Sequence, residues 1–387
     1  MNLELPGDEH PIRQQFKKWL SEHETYSNRE LAEGGWVVPH WPRPWGHDLS
    51  PIDQLVIEDE LKKNKVQKPS NQIGIGWAGP TILTAGTQAQ RDRYLFPIIS
   101  GDEIWCQLFS EPDAGSDLAS LRTTAVQDGD FFVVNGQKIW TSFGHVAKFG
   151  ILLARTDSTA DKHNGISYFI CPMDAEGITV TPIIDMTGNH SFNQVFLDNV
   201  HIPKENLVGE LNKGWSLAKV TLQNERVSLS TGGALWGLGP TAEDLIGLLK
   251  MAYLMGSPNL NSQILRDQLA KVYSESQILK WLTLRQVTSA IKGNQPGPES
   301  SVRKAIGDEH GQALFELAKN LSGSLGMLSD VSKLKVADKI QEFAASWHYG
   351  YAFSRALTIG GGTSEVQRNI IAERYFGLPK EPDLSVG

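Results

Sequence analysis

Apolar residues change their spacing twice along the chain, and the two changes predict three structural units. Ile12, Phe16, Trp19 and Leu20 recur at helical spacing and predict an amphipathic helix over Ile12–His23. The following GGWVVPHWPRPWG holds too many Pro and Gly for regular structure. Helices are predicted again over Ile52–Lys63, started by Ser50 and Pro51, and over Gln88–Ile99, so an all-helical unit ends near Gly101. From Cys106 to about Leu211 the period falls to two. The runs FFVVNG, ILLAR, ISYFICP, ITVTPI and NQVFLDNV have strand length and strand composition. Asp128-Gly129 and Asn135-Gly136 predict hairpin turns, and short strands at close intervals predict a small barrel or sandwich rather than a parallel sheet. From Gly214 the helical period returns, broken at Gly237–Pro240, Met255–Asn259 and Gly293–Pro298, which predicts a bundle of about four long helices.

Composition narrows the class of protein. At 387 residues, 40% hydrophobic and 21% charged, the chain is that of an ordinary globular protein with two or three units. The formal charge of −8 and the lack of a basic run argue against a nucleic-acid surface, so an anionic ligand must be held locally. The two cysteines, Cys106 and Cys171, lie in apolar strand-like runs with neither metal spacing nor a disulfide pattern, which suits a reducing cytoplasm. The opening MNLELPGDEHPIRQQF has acids and a proline where a secretion signal needs an apolar core. No run reaches the roughly eighteen apolar residues of a membrane span. No GxGxxG follows a strand, so a dinucleotide-binding parallel sheet is not expected.

Three blocks carry candidate chemistry. WCQLFSEPDAGSD, Trp105–Asp117, turns an apolar strand ending at Phe109 into a run of small and acidic residues, with Gly115 and Ser116 leaving backbone donors open to close approach. NGQKIWTSFG is expected to put Trp140 and Ser142 on one face of a strand. IGGGTSEVQRNIIAERYFGLP leads a glycine loop into a helix, with Gln367 three residues after Ser364 as in a capping box. Each block taken singly reads first as an ordinary turn or capped helix. In this order and at these distances, the set resembles the acyl-CoA dehydrogenase family over nearly the whole chain. The resemblance implies an α+β multidomain fold: an N-terminal helical domain (1–105), a middle β-barrel (106–212) and a C-terminal four-helix bundle (213–387). It implies FAD, with Phe109, Ser110, Gly115, Ser116, Trp140, Ser142 and Thr363 as flavin contacts.

The family's reaction removes a proton α to a thioester while the β-hydrogen leaves as hydride to flavin N5. Short- and medium-chain members place the basic carboxylate one residue before the Gly-Thr matched here by Gly362-Thr363, where this chain has Gly361. Either the chain is inactive or the carboxylate comes from elsewhere, and the candidate is Glu225. Ala218, Leu222, Glu225 and Leu229 share one helix face, so an acid interrupts an apolar stripe, and burial would raise its pKa toward that of a general base. A buried structural ion pair is the other use of such an acid, although Arg226 points to a different side of the helix. The segment is similar to the isovaleryl- and long-chain branch, whose base lies in this helix, and to steroid-side-chain members built from two unlike chains. The resemblance implies Arg226 near bound CoA, Ser116 at the substrate, an electron-transferring flavoprotein as electron acceptor and a homo- or heterotetramer. It departs at two elements that reach a neighbour's flavin, which LRDQLAK around Arg266 and LSGSLGM around Gly326 match poorly. An oxidase on the same fold, or a non-catalytic partner subunit, are the rival functions.

Overall fold

Helix α1 (Pro11–Glu22) starts on a proline at its first position and buries Phe16, while α2 (Asn28–Glu33) is fixed by a capping box in which Ser27 and Glu30 satisfy each other's backbone N–H. The computed structural model describes residues 5–229, 235, 239–254, 262–292, 297–321 and 338–380. These fall in two compact units, Met1–Glu225 and Arg226–Gly387. In the first, α3 (Pro51–Lys63) begins where Ser50 accepts from Asp53 N, and a π-helical turn at Gly74–Ala78 runs into α4 (Gly79–Ala85). Helix α5 (Gln88–Ser100) opens on a Thr87–Gln90 capping box and ends at Gly101 in the left-handed conformation.

Eight strands follow, β1 (Trp105–Leu108), β2 (Thr124–Asp128), β3 (Phe131–Lys138), β4 (Phe149–Arg155), β5 (Ile166–Pro172), β6 (Ile178–Ile184), β7 (His190–Pro203) and β8 (Leu207–Val208). They form one sheet in the order β6-β7-β3-β2-β4-β5-β8, with β1 parallel to β4. Neighbouring strands lie about 4.8 Å apart, so β3 and β5, three places apart, would stand about 14 Å apart in a flat sheet. Yet Phe132 on β3 and Phe169 on β5 meet edge to face with ring centroids 4.9 Å apart. The sheet therefore curls around one core, to which Cys106, Leu108, Val134, Leu152, Cys171, Val195 and Ile202 contribute.

The Asp128-Gly129 turn joins β2 to β3 as expected, but Asn135-Gly136 makes no hairpin. It is a bulge within β3, where the register with β7 shifts between Val134 and Gly136. Asn135 Oδ1 accepts from Asn199 N across the strands, and a Cβ at residue 136 would sit 2.3 Å from Thr123 Oγ1. Trp140 and Ser142 are also off the strand. β3 stops at Lys138, and Trp140 takes φ +61° between two anchors, Ile139 N to Ser110 O and Thr141 N to Asn193 O.

Helix α6 (Gly214–Leu229) leads into the second unit, which holds α7 (Ala242–Leu254), α8 (Gln263–Ile291), α9 (Glu299–Leu321), α10 (Asp338–Phe353) and the short α11 (Ser364–Ile370). Leu245, Leu249, Leu265, Val272, Leu314, Phe315, Trp347 and Leu357 make its core. Polar groups on α9 fix the segment before the glycine loop. Buried Lys304 pairs with Asp308 and donates to Leu357 O, and Gln312 donates to Ser354 O and Thr358 Oγ1. Gly326 lies outside the described residues. No helix among the described residues is long and apolar enough to cross a membrane.

Candidate functional site

Strand β1 alternates between two faces. Cys106 and Leu108 enter the barrel core, and Trp105, Gln107 and Phe109 take the opposite side. Beyond the strand, the loop holding Ser110, Gly115 and Ser116 is anchored by a buried ion pair. Lys138, fully enclosed, donates to Glu111 Oε1 at 2.8 Å, Phe109 O at 3.1 Å and Leu153 O at 2.8 Å. Glu111 also accepts from Arg122 N and Thr123 N. Burial pushes the Glu111 carboxyl up, but the Lys138 ammonium and these N–H donors outweigh it and hold it below its ordinary range.

The same contacts bring two of the sequence blocks together. Lys138 binds Phe109 O and Ile139 N donates to Ser110 O, so the loop carrying Trp140 and Ser142 lies beside the end of β1. Trp140 packs edge-on against Phe192 and is 57% exposed, Ser142 is half-buried, and Ser116 is exposed. A Cβ at Gly115 would meet nothing within 4 Å. An exposed aromatic ring, two hydroxyls and an unobstructed backbone fit a planar, hydrogen-bonding heterocycle such as a flavin.

Glu225 is buried, with 7% of its surface exposed, and its Oε2 accepts from Gln107 Nε2 at 3.3 Å. One turn earlier on α6, Thr221 Oγ1 meets Thr81 Oγ1 at 2.8 Å and Tyr168 OH at 3.1 Å, all three residues fully buried. Burial pushes the Tyr168 phenol up, so it stays a neutral hydroxyl. Tyr168 in turn meets Phe109 edge-on, ring centroids 6.0 Å apart. The buried residues of α6 are therefore Gly214, Leu217, Ala218, Thr221 and Glu225. Leu222, expected among them, is only half-buried. The side chains of Arg226 and Leu229 lie outside the described residues.

Thr363 belongs to the second unit. It caps α11 by accepting from Val366 N, and Gln367 donates to the carbonyls of Gly361 and Gly362 instead of closing a capping box with Ser364. Gly361 and Gly362 both take positive φ, and a Cβ at residue 362 would lie 2.6 Å from Gln367 Nε2. Among the described residues no group of His, Cys, Asp and Glu converges as a metal site.

Sequence reasoning missed Gln107, Thr81, Thr221, Tyr168 and the Glu111–Lys138 pair. One signal was present: Lys138 has the parity of the inward Phe132 and Val134, and a lysine on a buried face calls for an acid.

Comparison with known proteins matches the chain to three consecutive family descriptions. These are the acyl-CoA dehydrogenase N-terminal domain over residues 9–102, the middle domain over 106–200 and the C-terminal domain over 212–376. The chain is 42% identical over 350 residues to acyl-CoA dehydrogenase FadE34 of Mycobacterium tuberculosis, which covers 90% of this chain but only 46% of that protein. It is 34% identical over 377 residues to acyl-CoA dehydrogenase IpdE1 of the same organism, covering 97% of this chain and 91% of that protein. Among solved structures, the Tcur3481-Tcur3483 steroid ACAD aligns with TM-score 0.77 at 30% identity, over 92% of this chain and 88% of that one. The ChsE4-ChsE5 complex from Mycobacterium tuberculosis aligns with TM-score 0.76 at 30% identity, over 98% and 100%.

Proposed function

The chain belongs to the acyl-CoA dehydrogenase family, and from that premise we propose that it oxidises an acyl-CoA thioester to the trans-2-enoyl-CoA with Glu225 as the base. The observation that carries this is the placement of Glu225. It is buried, and it is bonded to Gln107, the β1 residue two positions before Phe109, where the flavin-facing loop begins. The α-proton passes to the Glu225 carboxylate, and the electron pair it leaves forms the new C=C bond as the β-hydrogen departs with its own pair. FAD, when bound, supplies the acceptor for that hydride at N5.

Trp140 offers aromatic surface to the ring system and Phe109, only 3% exposed, backs the site from within, while Ser110, Ser142 and the backbone at Gly115 and Ser116 offer hydrogen bonds to the ring's edge. Thr363 and the glycine loop before it serve the same cofactor, and Ser116 and Arg226 serve the CoA portion of the substrate. Electrons leave to an electron-transferring flavoprotein, in a tetramer of cytoplasmic location whose chain divides at 105/106 and 212/213. A steroidal thioester belongs in the substrate panel because one structural neighbour is named a steroid ACAD.

Anaerobic addition of butanoyl-, isobutanoyl-, octanoyl- or cholanoyl-CoA to the flavin-loaded protein should bleach the flavin with at least one of them. Glu225→Gln should abolish bleaching with flavin retained. Bleaching at the wild-type rate in that variant removes Glu225 from the role. A second reading, favoured by neighbours that each name two chains, makes this chain one half of a heterotetramer. Purification alone without flavin, with flavin and turnover appearing on addition of an unlike family member, would establish it.

A further inference from the structure

We propose that Gln107 is a positioning residue for Glu225, its side-chain amide holding the carboxylate in the orientation that receives the α-proton. The inference rests on the reading of Glu225 as the base and adds a residue to that site. A glutamate's last torsion is broad and roughly two-fold, so burial alone does not choose which oxygen faces the substrate. Gln107 Nε2 is a donor only, and its 3.3 Å contact with Oε2 distinguishes the two carboxylate oxygens.

Both partners sit on fixed backbone. Gln107 lies within the β1–β4 ladder, paired with Ile151 between the pairs Cys106–Gly150 and Leu108–Leu152. Helix α6 is held one turn before Glu225 by the Thr221 hydroxyl, which engages Thr81 on α4 and Tyr168 on β5. The run WCQLF would otherwise be apolar, and a leucine or phenylalanine would suit the face shared with Trp105 and Phe109. A long polar side chain there loses rotamer freedom and solvation, which its bond to a buried acid offsets.

The test uses the flavin-loaded protein and whichever thioester of the panel bleaches it. Gln107→Met keeps length and removes the donor. Its kcat and its rate of substrate α-hydrogen exchange in D₂O should both fall about ten- to a hundredfold. KM, flavin content and the calorimetric Kd of the enoyl-CoA product should stay within twofold. Gln107→Glu keeps the shape but sets a second acceptor against Glu225, and should fall at least as far, whereas a side chain needed only for packing would tolerate it. Wild-type kcat and exchange in either folded variant overturn the inference, as does a loss of kcat matched by an equal loss of flavin. Inactive Glu225→Gln with unimpaired Gln107→Met sinks the role of Gln107 alone. Active Glu225→Gln, or no bleaching of the wild type by any thioester of the panel, sinks the underlying reading with it.

Discussion

Lys138→Met is the substitution whose cost the structure sets most directly. The ammonium has no exposed surface, and it donates to one carboxylate oxygen and two carbonyls, one just after β1 (Phe109) and one within β4 (Leu153). Methionine fills much of the same space, so little of the loss comes from a cavity. What remains is a nearly buried Glu111 carboxylate left with two backbone N–H donors, and two carbonyls that lose a donor. Removing one member of a buried pair costs about 3–5 kcal/mol, and for a unit of this size each kcal/mol moves Tm by roughly 2–4 °C. Lys138→Met should lower Tm of the first unit by about 6–20 °C, read by calorimetry. It should also lower flavin content, since Phe109, Ser110 and the Trp140 loop lose their common anchor. In a cycle with Glu111→Gln, the double variant should lose less than the two single losses added together. The pH dependence has a definite sign. Glu111 is held below its ordinary 4.5 in the folded chain, so its contribution is complete above pH 4.5 and is lost as the pH falls through the folded value. The acid limb of the wild-type stability curve should therefore be steeper than that of Glu111→Gln. A Tm shift in Lys138→Met worth less than about 1 kcal/mol, or strict additivity in the cycle, refutes the reasoning.

Two further changes test the parts that carry the site. Thr221→Val keeps the volume and removes the hydroxyl that joins Thr81 to Tyr168. It should cost about 1–3 kcal/mol in urea unfolding and lower kcat at unchanged flavin content, because α6 loses the contact that fixes Glu225. An unchanged urea midpoint would show that the hydroxyl cluster does not hold the helix. Gly136→Ala places a methyl 2.3 Å from Thr123 Oγ1 and 2.8 Å from Thr123 Cα. It should destabilise by about 1–3 kcal/mol, and adding Thr123→Ala should not restore the loss, since the backbone atom remains in the way.

The strands were legible because each run of strand length and composition lies in one of β3 to β7, and β4 and β5, buried along nearly their whole length, read as continuous apolar runs rather than by alternation. Helix α2 was missed because its six residues carry too little periodicity, although Ser27 and Glu30 already spelled a capping box. Asn135-Gly136 misled for a different reason. The same dipeptide serves a hairpin or a bulge, and the choice is made by Thr123 and Asn199, which lie on other segments. Nothing within KIWTSF announces that pairing stops at Lys138. The left-handed turn at Trp140 is set by Ser110 and Asn193 on either side of it.

The site divides along the same line. Glu225 stood out as an acid interrupting an apolar face, and Lys138 and Gln107 interrupt theirs in the same way. A polar residue at a position whose neighbours are buried must find a partner, so its own place can be read locally while the partner's cannot. Gln107 and Glu225 are 118 residues apart, Lys138 and Glu111 are 27 apart, and Thr81 and Thr221 are 140 apart. The first two of these bonds meet at β1, which is short and ends at the loop proposed to face the flavin. The alternation that sends Cys106 and Leu108 inward leaves Gln107 and Phe109 on the other face, about 7 Å apart along the strand. The residue that orients the proposed base and the residue that opens the cofactor loop are thus fixed by one ladder with β4. A shift of that ladder by a single residue would exchange both for core side chains. Misplacing the base and losing the cofactor surface would then be one event, which is why the Lys138 anchor at the end of β1 should affect turnover as well as stability.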